Sequence, residues 1–156
     1  MRNAMLISEL LNNKPDIHPD HIVSCVSTDT VADAIEKMLK HNIGAVLIND
    51  ATGLAGVFSE RDVMRGLHNT GADILSVALA DVMAKNLISV EADQTIDDAL
   101  NAMRDNRIRH LIVMSKGELA DFISMRDLMA YQIDIAKKSA EMLQQQILGA
   151  TQTLPM

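Results

Sequence analysis

The chain repeats itself. Shifted by 65 residues without a gap, it lays Ser24 on Ser89, Thr30 on Thr95, Met38 on Met103, Ser59 on Ser124 and Asp62 on Asp127, and 12 of the 42 positions from 24 to 65 are identical. Average composition would give about two or three such matches. A unit this short has room for one small sheet with helices on one face, so the two copies are expected to pack together and share a core.

Hydrophobic character repeats with identity. Val31, Ala34, Ile35, Met38 and Leu39 fall at the spacing of a helix that covers a sheet, and Thr30 with Asp33 forms a capping-box start that Thr95 and Asp98 duplicate. Helices 30–41 and 95–106 follow from this. Apolar runs Ile43–Ile48 and Leu54–Phe58, and Ile108–Met114 and Leu119–Ile123, are parted by turn formers and read as hairpins. With first strands at Ile22–Val26 and Leu87–Val90 and helices beginning at Ser59 and Ser124, each copy reads β-α-β-β-α. The expected fold is α/β, two tandem repeats related by a pseudo-two-fold. Its layout is an N-terminal helix and lead-in (1–19), repeat 1 (20–70), a linker with a short helix (71–85), repeat 2 (86–131) and a long C-terminal helix with its tail (132–156).

Composition removes several function classes. The net charge of −7 repels phosphate backbones and anionic membrane, and 2% aromatic content supplies no base-stacking platform, so general nucleic-acid binding is not expected. No apolar run reaches the ~18 residues of a membrane span. The lone Cys25 falls in an apolar strand as a small core residue and points to a reducing compartment, hence a cytoplasmic soluble chain. His18 and His21 make a His-x-x-His in a loop without a third ligand nearby, which reads as a solvated turn rather than a metal site. No nucleophile elbow, phosphate loop or zinc-protease motif occurs, so the chain is not read as an enzyme.

The segment Gly56-Val57-Phe58-Ser59-Glu60-Arg61-Asp62-Val63, its echo Asp121-Phe122-Ile123-Ser124-Met125-Arg126-Asp127-Leu128, and the stretch Asn106 to Val113 resemble the CBS domain family, the cystathionine-β-synthase-type repeat that occurs in tandem pairs. The resemblance runs from about Asp20 to about Tyr131. It implies a regulatory module with clefts between the repeats for AMP, ADP, ATP or another adenosyl ligand such as S-adenosylmethionine or NAD(H). On that likeness Asp62 and Asp127 would hold ribose hydroxyls, Ser59 and Ser124 would meet ribose or phosphate oxygens, and Arg61 and Arg126 would neutralise phosphate. Backbone around Ser24 and Ser89, with Gly44 and Ala45 and with Arg109 and His110, would frame the ligand. Ser-x-x-Asp ahead of an apolar run is also a helix capping box, and both roles are compatible.

The copies differ. Copy two carries Arg107, Arg109 and His110 where copy one has Asn42, Gly44 and Ala45, which predicts a cleft favouring a more phosphorylated ligand, while Asp121 in place of Gly56 brings negative charge. Met129, Ile133, Ala136, Ala140, Leu143 and Ile147 form a heptad seam beyond the second repeat, expected to make a homodimer, with folding back onto the N-terminal Leu6, Ile7, Leu10 and Leu11 as the other arrangement. The function expected is an adenine-nucleotide sensor that signals to a regulated protein. A ligand-independent dimerisation scaffold is the alternative.

Overall fold

The structure, a computed structural model, describes residues 4–13 and 22–152. His18 and His21 lie outside the described residues, with the rest of 14–21, residues 1–3 and the last four positions.

Both repeats form the expected elements. In the first, β1 (Ser24–Val26), α2 (Val31–His41), β2 (Ala45–Asp50), β3 (Gly53–Ser59) and α3 (Glu60–Thr70) follow the helix α1 (Ile7–Asn13). A 3₁₀ turn (Gly71–Ser76) and the short α4 (Leu79–Val82) lead to β4 (Ser89–Glu91), α5 (Ile96–Asn106), β5 (His110–Ser115), β6 (Glu118–Ser124) and α6 (Met125–Gln152). Each repeat is a three-stranded sheet with its middle strand paired parallel on one side and antiparallel on the other. The duplication extends to register. Ser24 pairs Leu47 and Ser89 pairs Ile112, and the hairpin irregularity at Ile48/Asn49 recurs at Val113/Met114.

Capping explains the helix limits. Asp33 Oδ2 accepts from the Thr30 backbone N–H at 2.8 Å and Thr30 Oγ accepts from the Asp33 N–H at 3.3 Å, and Thr95 with Asp98 repeats the reciprocal pair. At the far ends Asn42 (φ 51) and Arg107 (φ 54) take the left-handed conformation, and Ile43 and Ile108 donate back to Met38 and Met103. The strands β2 and β5 therefore start two residues later than the apolar runs suggest. Lys116 (φ 52) and Gly117 (φ 79) make the second hairpin a two-residue turn with positive φ at both central residues, the geometry that matches strand twist.

Two cores result. Val31, Ala34 and Met38 of α2 pack on Val46, Ile48 and Phe58, while Leu39, though part of the apolar pattern, is 77% exposed and turns toward a cleft. Ile96, Ala99 and Met103 of α5 pack on Leu111, Val113 and Ile123. Each core has a cover, and the covers cross over. Ile74 and Leu79, in the segment read as leading into repeat 2, close the first core. Ile7 and Leu10 of α1, both fully buried, close the second together with Leu128. The backbone bonds match in kind: Val31 donates to Val77 O and Leu79 to Asp29 O, as Ile96 donates to Met5 O and Ile7 to Gln94 O. Beyond Tyr131, α6 leaves the body of the protein, and its side chains from 136 to 151 are nearly all exposed.

Candidate functional site

The two Ser-x-x-Asp motifs stand where β3 and β6 pass into helices. In copy one the Ser59 backbone N–H and hydroxyl both donate to Asp62 Oδ2, at 2.9 and 3.1 Å. In copy two Ser124 N–H donates to Asp127 Oδ2 at 2.9 Å, and Asp127 N–H to Ser124 Oγ at 3.1 Å. The first turn of each helix is tied to the same repeat's central strand lead, Glu60 N–H to Gly44 O at 3.0 Å and Met125 N–H to Arg109 O at 2.8 Å. Both aspartates are half-buried, held with one oxygen in the cap.

Each motif opens on a cleft walled by the other repeat. Ser59, Arg61 and Asp62 face Asn86, Ile88 and the segment Asn106 to His110 across a cavity of about 940 Å³. Ser124, Arg126 and Asp127 face Ile22, Val23 and the segment Asn42 to Ala45 across one of about 700 Å³. Both volumes lie in the range that holds a nucleotide-sized ligand. Arg61 ties the walls together, its Nη1 donating to Arg107 O at 2.9 Å.

A shared wall of Gly44, Glu60, Met64, Arg109, His110 and Phe122 lines both clefts. The His110 ring lies 5.6 Å from the Phe122 ring, tilted by 32°. A side chain on Gly44 would begin 3.3 Å from both Glu60 Oε2 and His110 Cε1, so this wall is closely filled. Burial pushes the His110 pKa below 6.5, while the Asp127 and Glu60 carboxylates oppose that shift and Arg109 adds to it.

Of the residues singled out in the sequence, Ser59, Arg61 and Asp62 line the larger cleft and Ala45, Ser124, Arg126 and Asp127 the smaller, with Gly44, Arg109 and His110 on both. Ser24 and Ser89 line neither. They sit in β1 and β4, and Ser24 O instead accepts from Lys37 Nζ at 2.8 Å. One basic residue of copy two also changes address: Arg107 opens on the cleft headed by Asp62 of copy one and not on that of Asp127, while Arg109 lines both. That crossing of walls leaves no trace in either repeat's own sequence. Glu60, Arg65, Ala84 and Asn86 were not singled out for a site, although Arg65 could have been, as a cation one turn after the aspartate. Phe122, one of the few aromatic residues of the chain, lines both clefts. Burial raises the Cys25 thiol pKa and keeps it protonated, as suits a core residue. No cluster of three or more metal-ligating side chains occurs among the described residues, and no helix among them is long and apolar enough to cross a membrane.

A tandem pair of β-α-β-β-α units enclosing two cross-repeat clefts defines the CBS pair, and the CBS domain model matches residues 15–69 and 79–134. The chain belongs to the CBS domain family. It is 28% identical over 148 residues to the CBS domain-containing protein CBSX3, mitochondrial, of Arabidopsis thaliana, across 92% of this chain and 72% of that one. Among solved structures it is similar to the CBS-domain protein ATU1752 of Agrobacterium tumefaciens (28% identity, TM-score 0.76, covering 85% of this chain and 96% of that one). It is also similar to PAE2072 of Pyrobaculum aerophilum, complexed with AMP (26% identity, TM-score 0.67, covering 85% and 99%).

Proposed function

We propose that the chain is a regulatory, non-catalytic module of the cell interior that binds AMP, ADP, ATP or another adenosyl ligand between its repeats and signals the bound state to a partner protein. The observation that carries this reading is the position of Asp62 and Asp127, each at the start of a helix and each opening on a nucleotide-sized cleft. The carboxylate oxygen outside the cap suits ribose hydroxyls, which in Asp62 would replace the Arg65 Nη1 that donates to Oδ1 at 3.3 Å, and nearby arginines suit phosphate. The relative complexed with AMP supports the same ligand class. Ligand touching both walls favours one relative orientation of the repeats, which is how binding becomes a signal.

The module acts as a homodimer. Met129, Ile133, Leu143 and Ile147 are 53–67% exposed along one helix, and a second copy of the seam would cover them. The capping bonds of Asp62 and Asp127 favour a second reading, a scaffold in which the motifs only start helices.

Calorimetric titration with AMP, ADP, ATP and S-adenosylmethionine decides between them. Wild-type protein should bind at sub-millimolar concentration. Asp62→Asn, which keeps a capping oxygen but loses the charge, should weaken AMP binding with little change in melting temperature. Absence of binding of AMP, ADP, ATP and S-adenosylmethionine alike by the wild-type chain would leave only the scaffold.

A further inference from the structure

The two clefts differ in charge, and every contributing substitution acts in the same direction. Arg107 lines the Asp62 cleft where its counterpart in the Asp127 cleft is Asn42. Arg65 lines the Asp62 cleft, and its counterpart one repeat later is Ala130. Asp121 lines the Asp127 cleft, and its counterpart is Gly56, against which Met83 and the backbone of Ala84 pack so closely that a Cβ would lie 2.6 Å from Met83 Sδ. With the shared Glu60 and Arg109 included and histidines neutral, the formal charge lining the Asp62 cleft is four arginines against two carboxylates, +2. Lining the Asp127 cleft it is two arginines against three carboxylates, −1. Asp121 is only 5% exposed, and its Oδ1 accepts from the Phe122 N–H at 2.7 Å, so this carboxylate is held in the wall and cannot swing away into solvent.

Resting on the proposed adenosyl binding, we infer that the clefts take ligands of opposite charge. The Asp62 cleft takes an adenosine polyphosphate, and the Asp127 cleft takes an adenosyl compound without phosphate, neutral or cationic. Phosphate oxygens gain charge-assisted hydrogen bonds from Arg107 in the first, and from Arg65 by exchange for Asp62 Oδ1, to which Arg65 Nη1 donates at 3.3 Å, whereas the second opposes a polyphosphate and favours a positive centre such as a sulfonium.

The test is titration of ATP, adenosine and S-adenosylmethionine into the full chain and four variants, with thermal melts to confirm folding. Asp62→Asn and Arg107→Asn should each weaken ATP by about tenfold or more and leave S-adenosylmethionine unchanged. Arg107→Asn installs copy one's own residue at an exposed left-handed position that asparagine tolerates, so it keeps the test open if Asp62→Asn misfolds. Asp127→Asn should weaken S-adenosylmethionine or adenosine alone, and Asp121→Gly should admit ATP to a second site. Loss of ATP in Asp127→Asn but not in Asp62→Asn, or loss of both ligand types in one variant, would overturn the division while leaving adenosyl binding intact. Wild-type protein that binds none of the three removes the division together with the proposed function.

Discussion

Arg61 Nη1 lies 2.9 Å from the carbonyl oxygen of Arg107, a guanidinium of the first repeat capping the C-terminal turn of a helix in the second. Arg107 is in the left-handed conformation, and that turn of the chain aims its carbonyl at the partner repeat. The bond closes one end of the Asp62 cleft. Arg61→Met should lower the urea midpoint by an amount equivalent to about 1 kcal/mol, since an exposed hydrogen bond is lost without burying an unpaired group. A midpoint equal to that of the wild type would mean that the bond does not hold the repeats together.

Gly56 is required by proximity. The chain between the repeats runs beside β3, where Val57 and Ala84 exchange backbone hydrogen bonds at 3.0 and 2.8 Å. A methyl group at 56 would meet the Met83 side chain at 2.6 Å and Ala84 O at 3.0 Å. Gly56→Ala should therefore destabilise the protein by about 1–3 kcal/mol in thermal or denaturant unfolding. Unchanged stability would show that the linker can yield.

His110 gives the protein an acid-sensitive point. Its folded pKa is pushed below 6.5, mainly by burial, so the unfolded chain binds the proton more readily. Stability from this group is intact above about pH 6.5 and falls as the pH drops through the window between 6.5 and the lowered folded value. Below the folded value the loss stops growing. His110→Gln should remove this slope, so the wild-type and variant melting temperatures should diverge between pH 7.5 and 5 relative to their difference at neutral pH. Parallel curves would refute the assignment.

The seam on α6 predicts a mass. Sedimentation of the full chain should report a dimer, and Leu143→Glu with Ile147→Glu should shift it to monomer without lowering the melting temperature of the repeats, since both side chains are at least 60% exposed. A dimer that survives both substitutions would assign association to another face, where Met64 is also exposed.

Much of this architecture was legible because duplication reports itself twice. The capping pairs Thr30/Asp33 and Thr95/Asp98, the hairpins and the registers all repeat at one offset. The covers do not. Ile7 stands in α1 where Leu79 stands in α4, an offset of 72 rather than 65, so a gapless comparison passes over them. Site chemistry was legible residue by residue, but not as pairs. Nothing within copy two says that Arg107 will face Asp62, because that juxtaposition comes from packing one repeat against the other.

The crossed covers give the two halves different histories during synthesis. Every side chain of the first core, from Val23 to Met83, is contiguous in the chain, and that half can close as soon as it has emerged. The second core needs Ile7 and Leu10, made long before Ile96 and Leu111. Until repeat 2 is complete, α1 has nowhere to bury its apolar face, and its long sequence separation makes this closure the entropically costliest contact to form. Removing the first thirteen residues should thus leave repeat 1 able to mature and uncover the core of repeat 2, the half farther from them along the chain.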